Sequence, residues 1–312
     1  MTGRHRHGQG LFALTLPLIL FLAVPVIGLV ARALLGGGLL AALASPVVLD
    51  ALRLSVVTTA ISLGLTLSFG TPLAYLLARR SFRGSSLVET VVDLPIVLPP
   101  SVAGLALLFV FGRQGLLGGT LDAFGIAIPF TTFAVILAQT FVAAPFYVRS
   151  ARAGIAGVDR DIEDAARVDG ASERQVFRWV TASLAGPALA AGAVMSWSRA
   201  LGEFGATIMF AGNTEGRTQT LPLVVYSEFG GGDLEASVAA AAILVLAAFG
   251  VLVSVRVLRW GRALDIRGGL PAFAPQPLWA AFSSSRILRI FVTVAMGIGR
   301  LAGKRIVPLP AR

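Results

Sequence analysis

Six long apolar segments alternate with short polar segments along this chain. Each reaches the roughly 20 residues that an α-helix needs to cross the hydrocarbon core of a bilayer. The pattern therefore predicts an all-α polytopic membrane protein with six transmembrane helices, whose membrane domain covers residues 1–262 and precedes a tail at 263–312. The segments lie at about residues 11–31, 53–78, 87–112, 131–151, 184–210 and 236–258.

The composition supports a membrane protein and excludes several kinds of chemistry. Hydrophobic residues make up 56% of the chain and charged residues 13%, about half the charged fraction of a soluble domain. There is no cysteine, which excludes disulfides and thiolate sites. The two histidines, His5 and His7, precede the first apolar segment. We therefore expect neither a metal site nor a cofactor.

The positions of the arginines predict how the chain is oriented. They cluster at the ends of alternate apolar segments, which is the pattern that places such ends in the cytoplasm. Arg4 and Arg6 place the amino terminus in the cytoplasm as well. The net charge of +10 then results from arginines placed at the cytoplasmic ends of the spans. We therefore expect a lipid bilayer as partner and no nucleic acid. The clusters are Arg79, Arg80 and Arg83; Arg149 and Arg152; and Arg256, Arg259 and Arg262.

The first apolar segment has a second interpretation as a cleaved signal peptide. Residues 42–44, Ala-Leu-Ala, resemble a cleavage site. The apolar core of about 20 residues is longer than the 7–15 residues of a signal peptide's hydrophobic region. We therefore favour a retained span.

The second apolar segment carries five small hydroxyl side chains at helical spacing. Small residues let transmembrane helices approach closely, so a helix–helix interface is the favoured interpretation. A pore lining is the alternative. The five are Ser55, Thr58, Thr59, Ser62 and Thr66.

The third apolar segment begins with DLPIVLPPSVAG at residues 93–104. Each proline removes a backbone donor, so the helix starts late or is broken here. Broken backbone within a bilayer survives only where it is buried in protein or lines a water-filled cavity. Pro99, Pro100 and Ser101 are therefore candidates for a gate, and an ordinary interfacial helix start is the alternative.

Residues 159–187 are polar and lie between the fourth and fifth apolar segments, where two short helices at the membrane surface are predicted. Asp159 or Asp161 can cap the first helix. Gly170 stands where a left-handed residue would end it. Ser172 and Gln175 then form a capping box for the second helix. We call residues 159–187 the surface helix pair.

The surface helix pair resembles the EAA loop of ABC importer permeases. That loop reads E-A-A-x-x-x-G followed by I-x-L-P, and here Asp164 replaces the glutamate, Val180 replaces the isoleucine and Pro187 comes late. In that family the loop forms a coupling helix that docks in a groove of the ATPase subunit. The resemblance implies coupling roles for Glu163, Asp164, Ala165, Ala166, Gly170, Ala171 and Ser172.

Three further stretches resemble the molybdate permease subunits of this class. They are SRALGEFGAT at 198–207, FAGN at 210–213 and RTQTLP at 217–222. The resemblance covers roughly residues 50–260 and extends to sulfate, thiosulfate and tungstate permeases. It implies a homodimer in a bacterial inner membrane that moves molybdate or a similar tetrahedral oxyanion inward. The implied partners are an ABC ATPase dimer and a periplasmic or lipid-anchored binding protein.

Arg199 and Glu203 lie inside the fifth apolar segment, where charged residues are costly and mark functional positions. Their spacing of four residues lets them neutralise each other on one helix. Direct contact between Arg199 and a passing anion is the alternative. We group both with Thr207 as candidates for the translocation path.

The chain lacks a nucleotide-binding loop, so ATP hydrolysis must occur on another chain. The only lysine, Lys304, has Ile298 and Arg305 where a P-loop needs glycine and Ser or Thr. A gradient-driven transporter predicts broken helices in both halves or paired carboxylates, and neither is evident. A membrane enzyme would need a histidine or cysteine constellation. We therefore expect a transport subunit without enzymatic activity.

Overall fold

The computed structural model describes residues 4–265, with side chains described for 15–250 and for Val253. Residues 4–265 contain helices, turns and loops and no strand, which confirms the predicted all-α class. In the tail at 263–312, the basic and partly apolar run at 286–305 predicts an interfacial helix or a poorly ordered tail, and this run lies outside the described residues. Thirteen helices follow one another within the described part of the chain. They are α1 (Arg4–Leu35), α2 (Gly38–Ala44), α3 (Pro46–Arg79), α4 (Ser85–Val97), α5 (Pro100–Phe111), α6 (Gly118–Ala123), α7 (Thr132–Ala156), α8 (Arg160–Val168), α9 (Glu173–Leu184), α10 (Gly186–Leu201), α11 (Gly205–Phe210), α12 (Leu221–Gly230) and α13 (Leu234–Asp265).

Three of the described helices are long and apolar enough to cross a membrane. They are α3, α7 and the Thr15–Leu35 part of α1. Two bent pairs raise this number to five if each pair is one span. Helices α4 and α5 meet at 118°, and helices α9 and α10 meet at 73°. Helix α13 is 32 residues long, and Leu234–Gly250 is the apolar part whose side chains are described. The count of six spans stays a prediction.

The described residues divide into two compact units. One comprises the described residues up to Ser55 together with Asn213–Gly250. Its core consists of small and branched apolar side chains, and the buried Ser55 hydroxyl accepts the N–H of Leu221 at 2.8 Å. The core residues are Ala42, Val48, Ala51, Leu221, Val224, Ala239, Ala240 and Ile243.

The other unit contains Val56–Gly212, and helix α7 lies at its centre. Thr131 caps α7, because its hydroxyl accepts the N–H of Ala134. Helix α10 packs closely on α7 through glycines, as is typical of transmembrane helices. A Cβ added at Gly192 would lie 2.8 Å from the Cβ of Ser150. The glycine is therefore what allows the two backbones to approach.

The hydroxyl face of the second apolar segment lies against neighbouring helices. Thr59 accepts a hydrogen bond from Nε1 of Trp197 on α10 at 3.0 Å. Ser62 accepts one from the Thr140 hydroxyl on α7, also at 3.0 Å. Both residues are buried. These contacts support the helix–helix interface that the sequence favoured over a pore lining.

Candidate coupling surface and gate

The surface helix pair has the predicted local structure. Asp159, not Asp161, is the cap, because its carboxylate accepts the N–H of Asp161 at 3.0 Å. Gly170 has φ +89° and ends the α8 turn in the left-handed region. Ser172 and Gln175 form the capping box of α9. Short-range turn chemistry was therefore sufficient to predict how this segment folds.

The outer face of α8 combines charge with apolar surface. The Asp164 side chain is 67% exposed, and Ala165 next to it is exposed as well. Ile162 and Val168 expose 48% and 87% of their surface. Among the predicted coupling residues, Gly170 and Ser172 are also exposed, whereas Ala166 and Ala171 are partly buried. Such a face suits contact with another protein, since patches of exposed large apolar side chains mark interaction surfaces.

Arg167 connects the two helices of the pair. Its guanidinium forms ion pairs with Asp164 on α8 and, at 2.8 Å, with Glu173 on α9. The hydrogen bond to Glu173 raises the pKa of Arg167, and the same bond lowers the pKa of Glu173. Arg167 and Glu173 therefore both stay charged near neutral pH, which favours the bridge between α8 and α9 there.

Glu163 is placed differently from its neighbours. The sequence grouped it with the coupling residues, and the structure buries its side chain to 3% exposure. Its carboxylate lies 2.8 Å from the guanidinium of Arg79 at the end of α3 and accepts a hydrogen bond from the Thr181 hydroxyl. The sequence indicated for Arg79 only a role in orienting the chain in the membrane. Its pairing with Glu163 had no local signal, because the two residues are 84 positions apart.

The predicted gate segment forms a sharp break. Helix α4 ends at Val97, and Pro100 begins α5 after a bend of 118°. The amino-terminal end of α5 packs against the start of α11. A Cβ added at Gly205 would lie 2.7 Å from the Cβ of Pro100 and 3.1 Å from the backbone nitrogen of Ser101. The structure therefore brings the two segments that carry the predicted gate residues into backbone contact.

A second break interrupts the fifth apolar segment. Helix α10 ends at Leu201 and α11 begins at Gly205, so the single helix assumed for Arg199 and Glu203 is wrong. Their predicted pairing is present, with 2.6 Å between Nη1 of Arg199 and Oε2 of Glu203. The other oxygen of Glu203 accepts the N–H of Ala206 at 2.7 Å. Glu203 therefore neutralises the arginine and also holds the backbone at the break.

The gate region contains buried polar atoms without hydrogen-bond partners among the described residues. Thr207, a predicted path residue, is fully buried, and its hydroxyl has no such partner there. The buried hydroxyl of Ser198 likewise has none within the described part of the chain. Ser198 lies in the last turn of α10 and Thr207 in the first turn of α11, so the two residues flank the break at residues 202–204.

Two ion pairs that the sequence did not indicate join α4 to α7. Arg152 lies 2.8 Å from Glu89, and Arg149 lies 3.5 Å from Asp93. The spacing of Glu89 and Asp93 by four residues was a usable signal, because it places both on one face of a helix. These pairs connect the first half of the broken segment to the helix that precedes the surface helix pair.

No group of three or more potential metal ligands occurs among the residues that the structure describes. Polar side chains in this part of the chain form ion pairs and hydrogen bonds between helices.

A family model described as "Binding-protein-dependent transport system inner membrane component" matches residues 70–263. The chain belongs to this family. The matched range includes the gate segments and the surface helix pair. The chain is thus an inner-membrane permease component of a transport system. This match confirms the resemblance to ABC importer permeases.

Relatives with printed names support a narrower grouping. The molybdenum transport system permease protein ModB of Mycobacterium tuberculosis is 41% identical over 237 residues, which cover 76% of this chain and 89% of the relative. The molybdate/tungstate transport system permease protein WtpB of Pyrococcus abyssi is 36% identical over 244 residues, which cover 78% and 90%. The similarity to molybdate permeases that the sequence predicted is therefore confirmed.

A solved structure supports the fold. It is a crystal structure titled as a bacterial alginate ABC transporter in complex with an alginate pentasaccharide-bound periplasmic protein. One of its chains matches with a TM-score of 0.64 at 18% sequence identity, covering 80% of this chain and 93% of that chain. At this identity the match concerns the fold alone.

Proposed function

We propose that this permease forms the translocation pathway for molybdate or a similar tetrahedral oxyanion, driven by ATP hydrolysis on a separate subunit. The names of the relatives from Mycobacterium tuberculosis and Pyrococcus abyssi support the substrate class. The observation that carries the ATP-driven mechanism is the surface helix pair. It is a rigid, capped element with an exposed apolar and acidic face, and it directly joins α7 to α10, which leads to the gate.

The proposed assembly is a homodimer of this chain with two ABC ATPase subunits and a periplasmic or lipid-anchored binding protein. The amino terminus and the surface helix pair lie in the cytoplasm in this arrangement, as the arginine clusters favour. Helix α3 exposes apolar side chains that suit a second copy or lipid, including Val56, Ile61 and Phe69. Dimerisation would place the pathway between two copies of α5 and α11.

The proposed coupling begins when the ATPase pair closes and displaces the surface helix pair. The displacement reaches the gate by two routes. Helix α10 connects α9 to the break at residues 202–204, and the ion pairs of Arg149 and Arg152 connect α7 to α4. Pro99, Pro100, Ser101 and Thr207 then change their contacts. Since Arg199 is already neutralised by Glu203, we expect weak binding of the anion in transit and selectivity in the binding protein.

Reconstitution tests the substrate and the energy source together. The permease is incorporated into proteoliposomes with its ATPase and binding protein, and uptake of molybdate, tungstate and sulfate is measured. We expect accumulation of molybdate that requires ATP and that persists when ionophores dissipate ion gradients. Uptake without ATP that an ionophore abolishes would indicate the gradient-driven transporter instead. Preference for sulfate or thiosulfate would contradict the substrate and leave the ATP-driven mechanism in place.

Replacing Gly170 with valine tests the coupling role of the surface helix pair. A β-branched residue at φ +89° strains the backbone by about 1–2 kcal/mol or more, so the turn should reopen and ATP-driven uptake should be lost. No atom lies within 4 Å of the added Cβ, so membrane insertion should continue. Gly119→Val is a matched control, because Gly119 also has open space and lacks a positive φ. Normal uptake by the Gly170 variant would remove the coupling role.

A further inference from the structure

Glu163 and Asp164 are adjacent on α8 and face opposite environments. The Glu163 side chain is 3% exposed, whereas the Asp164 side chain is 67% exposed. Only Asp164 is therefore accessible to a docking partner in this conformation. A buried carboxylate within a surface element requires a separate explanation.

The partners of Glu163 come from two different helices, α3 and α9. Arg79, whose side chain is 8% exposed, is the last residue of α3 and lies 2.8 Å from the Glu163 carboxylate. The guanidinium nitrogen that contacts Glu163, Nη2 of Arg79, also donates to the carbonyl of Val158 at 3.0 Å. Val158 lies in the connection between α7 and α8. The Thr181 hydroxyl of α9 donates to the same Glu163 oxygen. One carboxylate thus joins α8 to α9 and to the end of α3.

An aromatic contact extends this junction along α3. Tyr75 lies one turn before Arg79, and its ring meets that of Phe177 on α9 edge-to-face, with 5.2 Å between centroids and 85° between planes. Such rings bring apolar contact area and a defined geometry. The junction therefore combines a shielded ion pair with a directional packing contact, and α3 is held at two successive turns.

The energetics of a buried ion pair fit a mechanical role better than a stabilising one. Desolvation of two charges cancels much of their attraction, so such a pair adds little net stability compared with apolar residues. Removing one partner is costly, because the other charge is left buried and unpaired. The pair thus specifies one geometry of the junction and resists its separation.

We propose that Glu163 is a positioning residue that transmits displacement of α8 to α3, and that it takes no part in docking to the ATPase. Helix α3 passes the displacement on, because its Thr59 is hydrogen-bonded to Trp197 of α10 and its Ser62 to Thr140 of α7. This provides a third route from the surface helix pair to the gate. The inference deepens the proposed function and rests on it.

The test compares Glu163→Gln with Asp164→Asn in the reconstituted complex. Both changes remove one negative charge from neighbouring positions, so they are matched. For Glu163→Gln we expect unchanged ATPase binding and continued ATP hydrolysis, with the molybdate transported per ATP reduced about tenfold, because the neutral amide holds Arg79 less firmly. For Asp164→Asn we expect weaker ATPase binding and an unchanged ratio of transport to hydrolysis.

A charge exchange separates transmission from simple destabilisation. Arg79→Glu and Glu163→Arg are each expected to uncouple transport, and the double variant should recover part of the transported molybdate per ATP, since it restores the pair. If these variants do not accumulate in the membrane, Thr181→Val provides a milder change. It removes one hydrogen bond to Glu163, and we expect a reduction of about twofold to threefold in the same ratio.

Each outcome decides the inference. A wild-type ratio of transport to hydrolysis in both Glu163→Gln and Thr181→Val would overturn it. Loss of ATPase binding by Glu163→Gln equal to that by Asp164→Asn would overturn it as well, because Glu163 would then act in docking. Wild-type protein that shows no ATP-dependent uptake would overturn the proposed function, and with it this inference.

Discussion

Replacing Gly104 with alanine is expected to abolish most oxyanion uptake. A Cβ at this position would lie 2.6 Å from the carbonyl oxygen of Ala206 and 2.8 Å from its Cα, and both are backbone atoms that cannot rotate away. Overpacking of this kind costs about 1–3 kcal/mol, and here it must separate α5 from α11. The gate segments would then lose their backbone contact. Uptake and thermal unfolding of the purified complex measure the two consequences.

A matched control and a reciprocal variant sharpen this test. Gly64 lies within helix α3, and a Cβ added there has no atom within 4 Å, so Gly64→Ala should retain uptake. It should also gain up to about 1 kcal/mol of helix stability, since glycine is a poor helix former. Gly205→Ala, which approaches Pro100 from the other side of the contact, should behave like Gly104→Ala. Normal uptake in both Gly104 and Gly205 variants would show that this contact is not part of the gate.

Replacing Glu203 with alanine is expected to lower both the amount of folded protein and its uptake. The change removes the partner of Arg199, 2.6 Å away, and the acceptor for the N–H of Ala206. Breaking a buried ion pair costs about 3–5 kcal/mol when the remaining charge stays buried. The Arg199 side chain is 28% exposed, so we expect the lower part of that range. Glu203→Gln keeps the acceptor for the N–H of Ala206, so this variant should lose less folded protein and less uptake than Glu203→Ala.

The double variant Arg199→Gln with Glu203→Gln distinguishes the two roles considered for Arg199. If pairing is its function, the neutral double variant should regain most of the stability and uptake that either single variant loses, because no charge remains unpaired. If Arg199 contacts the passing anion, stability should recover while uptake stays low. The ratio of initial uptake rate to the amount of folded complex separates these results.

The candidate site consists of two connected parts that differ in rigidity, the surface helix pair and the contact between the candidate gate segments. The surface helix pair is rigid because its turn, capping box and Arg167 bridge hold it in one form. We expect the gate contact to be less rigid, since the helical backbone is interrupted there at residues 98–99 and at residues 202–204. Displacement of a rigid element should therefore be absorbed where the backbone is already interrupted.

Some of this arrangement was accessible from local sequence patterns. The αL glycine at 170 and the Ser172–Gln175 capping box are decided within four residues, so the turn chemistry alone predicts them. The break at Pro99 and Pro100 follows from the missing backbone donors. The break at residues 202–204 was missed because it contains no proline. Glu203 stabilises it by accepting the N–H of a residue only three positions away.

Other features had no local signal. Glu163 and Asp164 are both acidic residues in the first turns of one helix, and the sequence treats them alike. The ion pair with Arg79 joins positions 84 residues apart. Only the packing of α8 on α3 and α9 determines which of the two carboxylates is buried. The same holds for the glycines at 104 and 205, whose importance depends on the helix that faces them.

The sequence by itself determined the helical class, the membrane location, the turns of the surface helix pair and the family, because these depend on periodicity, composition and short motifs. The tertiary structure decided which side chains are partners: Glu163 with Arg79, Glu89 with Arg152, and the gate prolines with Gly205. These depend on how distant helices approach each other. That approach is set by close packing over many residues, so no single segment encodes it.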